Sequence, residues 1–148
     1  MLLYGIGYNV RLNFGLWLLK NLSEERAVRV ADDQFANPTL VDHVAYGILQ
    51  IVELDRKDIY HLASPELVSR YEFALALARI FEFNKKLVMP VKTAQLKQAA
   101  MRPLRSGFIT LRATTDLNIR MNGVERGLTI FKNQLSAQLQ AAAKSEKE

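Results

Sequence analysis

The chain has 148 residues, 49% of them hydrophobic and 24% charged, which fits one globular domain and excludes a disordered or collagen-like polymer. With no cysteine, disulfides, zinc–thiolate sites and thiol nucleophiles are excluded, and a reducing compartment is the natural setting. Lys and Arg number 20 against 15 Asp and Glu, a formal net charge of +5, but Arg11, Arg79, Arg112, Arg120 and Arg126 are scattered singly, so the excess reads as a solvated basic surface rather than a nucleic-acid footprint.

No apolar run approaches the roughly 20 residues of a membrane span, and no charged segment precedes the first apolar residues as in a secretory leader. A soluble, cytoplasmic protein with neither membrane nor nucleic-acid partner is expected. Within Met1 to Tyr8, the run Leu2, Leu3, Tyr4, Gly5, Ile6 and Gly7 reads as a short strand entering a glycine turn. Asn13 to Leu22 carries Phe14, Leu16, Trp17, Leu18, Leu19 and Leu22, too many apolar residues for one stripe, and predicts a helix buried on more than one side with Trp17 in the core. Val28 to Val30 is a short strand, and Asp32 to Asn37 a polar loop. Pro38 is placed to open a helix, where its missing N–H has no partner to lose. Thr39 and Asp42 suit that helix's cap, and Leu40, Val41, Val44, Ala45, Ile48, Leu49 and Val52 its apolar face.

Ile59 to Ala63 predicts a buried strand ended by Ser64–Pro65. Ser69 and Glu72 have capping-box spacing, the clearest helix start in the chain, for a helix with Phe73, Leu77, Ala78, Ile80 and Phe81 that ends near Asn84. A strand at Leu87–Val91, interrupted by Pro90, and a short helix from Thr93 to Met101 follow. Pro103 to Leu111 is irregular, and Asn122-x-x-Glu125 opens a last helix with Val124, Leu128, Phe131 and Leu135 on one face. The sum is a helix-rich mixed α/β domain over residues 1–137, with a charged, alanine-rich tail at 138–148 expected to fray.

The residues that usually announce catalysis are missing. Gly5-x-Gly7 lacks the third glycine of a dinucleotide fingerprint, because Val10 stands where it is needed. None of the five tyrosines, Tyr4, Tyr8, Tyr46, Tyr60 and Tyr71, has a lysine four positions on, the spacing at which a lysine lowers a catalytic phenol's pKa. His43 and His61 are the two histidines, neither with a partner at metal-ligand spacing, and read as structural. There is no Gly-x-Ser-x-Gly elbow and no phosphate-binding Walker loop.

The order of several segments carries a resemblance: Tyr4-Gly5, Asn13-Phe14 with Trp17-Leu18-Leu19, and Asp32-Asp33-Gln34-Phe35-Ala36-Asn37-Pro38-Thr39 leading to Asp42 and Ala45. Tyr60-His61-Leu62, Ser69-Arg70-Tyr71-Glu72-Phe73-Ala74, and Arg102-Pro103 with Ser106-Gly107 complete it. From Leu3 to about Leu135 the chain resembles the C-terminal, substrate-binding half of dTDP-4-dehydrorhamnose reductases, members of the extended short-chain dehydrogenase/reductase superfamily. The resemblance implies a substrate-binding portion of an NAD(P)-dependent nucleotide-sugar reductase that is not catalytic alone. The Rossmann domain, with its glycine fingerprint and catalytic Tyr-x-x-x-Lys, would lie upstream of Leu2 in a complete homologue, so either the reading frame is truncated or split, or only this portion of a reductase was made. No catalytic, cofactor-binding or metal residue is expected in this chain, and NAD(P) is implied only for the complete enzyme.

The resemblance places Asn13 near a nucleotide-sugar pocket, with helix capping as its other role, and lets the Arg102 guanidinium grip a diphosphate, with an ordinary surface arginine as the alternative. Gln34, Asn37 and Thr39 are expected to shape their loop and cap its helix, with substrate contact second. The implied partners are the nucleotide sugar, bound weakly by the chain alone, and a Rossmann-domain chain or a second copy. Also open are a non-catalytic binding or regulatory subunit, a remnant without function, and the matching part of a nucleotide-sugar epimerase or dehydratase.

Overall fold

A computed structural model describes residues 1–7, 12–96 and 98–145. Tyr8, Val10 and Arg11, named above, and the end of the tail lie outside the described residues. In chain order the elements are β1 (Leu2–Tyr4), α1 (Phe14–Ser23), β2 (Val28–Ala31), β3 (Phe35–Ala36), β4 (Pro38–Leu40), α2 (Val41–Glu53), β5 (Val68–Ser69), α3 (Arg70–Ile80), β6 (Val88–Val91), α4 (Leu111–Asp116) and α5 (Val124–Ser145). Among the described residues the strands form three pairs: β1 with β4 and β2 with β6, both parallel, and β3 with β5, antiparallel. The protein is a mixed α/β domain in which helices predominate.

Helix α3 forms where its cap demands it. Ser69 Oγ accepts from the Glu72 N–H at 3.1 Å, and a Glu72 carboxylate oxygen accepts from the Ser69 N–H at 2.7 Å. Its Phe73, Ala74, Leu77 and Ala78 are buried at the centre of the main core, with Tyr4, Leu18, Leu22, Val28, Val30, Leu128 and Phe131 around them. Tyr4 packs its ring 5.0 Å from that of Phe73 and 5.6 Å from that of Phe131, tying β1 to α3 and α5. Trp17 is half-buried and stacks on Phe14 at the edge of this core. A smaller core joins Leu62, Ala113, Leu117 and Ile119 to Val44 and Ile51 of α2.

Several elements differ from the sequence reading, each for a local reason. Pro38 opens strand β4, not a helix: it pairs with Leu2 as the first residue of a two-stranded ladder, a position that tolerates a missing N–H. Helix α2 begins three residues later with Leu40 at its cap and no side-chain cap bond. Thr39 does not cap it, because its hydroxyl donates to Asn37 O and accepts from the Ser64 N–H. Ile59 to Ala63 forms no strand, although Leu62 and Ala63 are buried, because Ser64 finds side-chain partners in Thr39 and Asn37 instead of a ladder. The expected helix from Thr93 to Met101 shrinks to a 3-10 turn over Thr93–Leu96. The last helix continues through the expected tail to Ser145. Its first N–H, that of Val124, is held by the Glu66 carboxylate at 3.1 Å, while Asn122 turns to His43.

Candidate functional site

The Asp32–Asn37 segment between β2 and β4 is the hub of the site. The Gln34 carbonyl accepts the Arg70 N–H at 3.0 Å, drawing in the start of α3. The Phe35 N–H donates to Leu104 O at 2.6 Å and Phe35 O accepts from the Ser106 N–H at 3.0 Å, which lays the Arg102–Ser106 stretch alongside. Two cavities open there. One of about 450 Å³ is lined by Asp33, Thr93, Ala94, Gln98, Ala100, Met101, Arg102 and Leu104. A second of about 140 Å³ lies between Gln34, Phe35, Arg70, Arg102, Pro103 and Ser106. Arg102 belongs to both.

The polar wall of the larger cavity is already organised. Asp33 Oδ1 accepts from Thr93 Oγ1 at 2.5 Å and from the Thr93 N–H at 3.0 Å, and the hydroxyl bond above all holds its carboxyl below the usual range. Gln34 is buried, its amide donating to Thr93 Oγ1 at 3.1 Å and to Gln98 Oε1 at 3.2 Å. Just outside, Lys92 pairs with Asp32 at 2.9 Å. Ala94, Ala100, Met101 and Leu104 supply an apolar surface opposite. A concave site with apolar walls and a few fixed polar groups suits a small organic ligand with a ring and a polar edge.

The five residues singled out in the sequence take different places. Gln34 and Arg102 meet at the smaller cavity. Asn37 and Thr39 are buried behind it and bonded within the chain: Asn37 donates to Ser64 O at 2.9 Å and accepts from the Phe108 N–H at 2.7 Å. Gly107 makes that approach possible, since a Cβ there would lie 3.2 Å from the Asn37 amide oxygen and 2.6 Å from Leu67 Cδ1. Asn13 is apart from the others. It caps α1, accepting from the Leu16 N–H at 3.1 Å and donating to Gly5 O at 2.7 Å, on a cavity of about 230 Å³ with Leu3, Tyr4 and Val41.

Asp33, Thr93, Gln98 and Arg70 were not singled out in the sequence. Arg70 carried a signal, a cation in the first turn of a helix, where the macrodipole disfavours it. The other three are brought together only by the pairing of β2 with β6. Of the histidines, His43 Nε2 lies 2.5 Å from the Asn122 amide nitrogen, and exposed His61 stacks near Phe108 with ring centres 4.6 Å apart. No group of His, Asp and Glu able to hold a metal ion occurs among the described residues. No helix among them is long and apolar enough to cross a membrane.

Residues 2–137 match the RmlD substrate binding domain. The chain belongs to this family. Curated proteins give no match. Among solved structures, the dTDP-4-dehydrorhamnose reductase of Bacillus anthracis str. Ames, crystallised with NADP, superimposes with a TM-score of 0.79 at 26% identity, over 89% of this chain and 46% of that one. The reductase orthologue from Clostridium acetobutylicum ATCC 824 gives 0.79 at 24% identity, over 92% of this chain and 47% of that one. The dTDP-glucose 4,6-dehydratase of Bacillus anthracis str. Ames, crystallised with NAD, gives 0.70 at 13% identity, over 87% and 40%, a likeness of fold alone. This RmlD-family chain therefore spans about half the length of the reductases it matches.

Proposed function

We propose that this chain is the substrate-binding portion of an NAD(P)-dependent nucleotide-sugar reductase, taking the nucleotide part of a dTDP-sugar in the paired cavities at Arg102. What carries the reading is the family match over residues 2–137 together with cavities that meet at Arg102 of the Arg102-Pro103 segment. In this reading Arg102 and Gln34 face the ligand, while Asn37, Thr39 and Asn13 hold the loops around it.

Gly5 does not serve as a phosphate-cradling glycine in this reading. Gly5, in the one candidate phosphate turn, has φ +147° and lies so close to α2 that a Cβ would sit 2.5 Å from Val41 Cγ1, so its freedom serves that approach. No hydride-transfer step is assigned to the described residues. A cofactor-binding half, such as the matched reductases have room for in their further length, would supply the nicotinamide. The outer face of α2, with Val41, Ile48, Leu49 and Val52 exposed on one stripe beside Leu3, is where such a half would dock.

Calorimetry of the chain tests this. Binding of dTDP is expected, with at least about tenfold weaker affinity in Arg102→Ala, since a charged hydrogen bond contributes roughly 1.5–3 kcal/mol. NADPH is expected to give no heat. A dTDP affinity that Arg102→Ala leaves unchanged, or stoichiometric NADPH binding at micromolar concentration, would refute the reading.

A further inference from the structure

Arg70 and Arg102 reach the smaller cavity from different parts of the chain, brought together by the hydrogen bonds of Gln34 and Phe35. Among the described residues neither guanidinium has a carboxylate partner, although six other cations do. Glu72, nearest Arg70 in sequence, is occupied by the Ser69 N–H. Asp33, the carboxylate lining the larger cavity, is occupied by Thr93. Arg70 is moreover half-buried, its guanidinium 5.0 Å over the Phe14 ring, and stands at the positive end of α3. Burial, then the neighbouring Arg102 charge, lowers its pKa. Two cations lining one cavity without a carboxylate partner among the described residues, one of them partly desolvated, repel each other and favour an anion between them.

We propose that Arg70 and Arg102 form a two-armed clamp for a diphosphate in the cavity between Gln34 and Ser106, with the attached nucleoside lying in the larger cavity across Arg102. Guanidinium forks match phosphate oxygens in pairs, and two of them span a bridged diphosphate better than one. This rests on the substrate reading above, but adds a residue and a division of labour between the cavities. A diphosphate could belong to a nucleotide sugar or to a dinucleotide cofactor.

Titration of the full chain with inorganic pyrophosphate, dTDP, thymidine and NADP⁺ tests the clamp and identifies its source. Wild type is expected to bind pyrophosphate, dTDP more tightly, and thymidine least, with affinity for the first two falling steeply as salt rises. Arg70→Met and Arg70→Gln should each lose at least about tenfold for both phosphates. Arg105→Met, which removes a neighbouring cation stacked on Phe35, should leave them unchanged and shows that net charge is not the cause. Circular dichroism selects whichever Arg70 variant is folded. Should both unfold, protection of wild-type Arg70 from phenylglyoxal by pyrophosphate, read by peptide mass, decides instead. Pyrophosphate bound through Arg70 with dTDP no tighter would uphold the clamp and sink the nucleotide-sugar reading. NADP⁺ bound in preference to dTDP would uphold the clamp with the cofactor as its source. A folded Arg70 variant that binds dTDP like wild type would overturn the clamp alone, and wild type that binds no pyrophosphate would overturn it as well.

Discussion

Asn37 joins three stretches of chain through one side chain: its own loop, Ser64 on the far side, and the backbone of Phe108. Replacing it with Ala strands a buried carbonyl and an amide, each costing about 1–3 kcal/mol when left unpaired. Asn37→Ala is therefore expected to lower unfolding stability by roughly 2–6 kcal/mol in urea denaturation. A loss below about 1 kcal/mol would show that water replaces these bonds. Asn37 and Thr39 were visible in the sequence as loop-shaping polar residues beside Pro38. The partner of the Thr39 hydroxyl was not, because Ser64 lies 25 residues on and no local spacing points to it. Arg70 was hidden in another way: it lies inside the Ser69–Glu72 capping box, whose local signal accounts for the segment without it, and its approach to Arg102 depends on contacts distant in sequence.

The helices were the most legible elements, because their signals are local. Ser69 and Glu72 place the start of α3, and Ser69→Ala should cost about 1 kcal/mol, read from the denaturation midpoint. The two-residue strands β3 and β5 could not be seen, since each exists only through its partner across the fold. Where α2 meets the segment leading into α5, burial chiefly holds His43 below its usual 6.5, with Arg126 adding to the depression and Asp42 opposing it. Taken as the donor, the Asn122 amide faces a ring nitrogen that must accept, which is the neutral form. Below about pH 6.5 the unfolded chain takes up a proton that the folded chain resists, so stability falls as pH falls through that value and is unaffected well above it. His43→Gln should flatten that decline between pH 7 and 5.5 in thermal unfolding. An unchanged slope would assign it to other groups.

At the scale of the molecule, helix α2 presents an exposed apolar face. Val41, Ile48, Leu49 and Val52 were read from the sequence as the apolar face of their helix, yet Leu49 is 58% and Val52 70% exposed, and the helix turns Gly47 inward against Leu62. The period was legible, but which side of the helix meets the body was decided by the second core. Beside that face, β1 is paired on one edge only among the described residues. Such a surface favours association, so light scattering at micromolar concentration should show species larger than a monomer, and Leu49→Lys with Val52→Glu should reduce them. A clean wild-type monomer would argue against a docking face. The parallel strand pairs bear on how the chain folds. Leu2 meets Pro38 and Val28 meets Val88, so neither ladder can start as a hairpin, and each must wait for a long loop to close. Helix α3, capped by its own residues and packed on both β2 and β6, is the local structure on which the distant strands can assemble. In stopped-flow experiments, Ser69→Ala should then slow refolding, while Val88→Ala in β6 should chiefly speed unfolding.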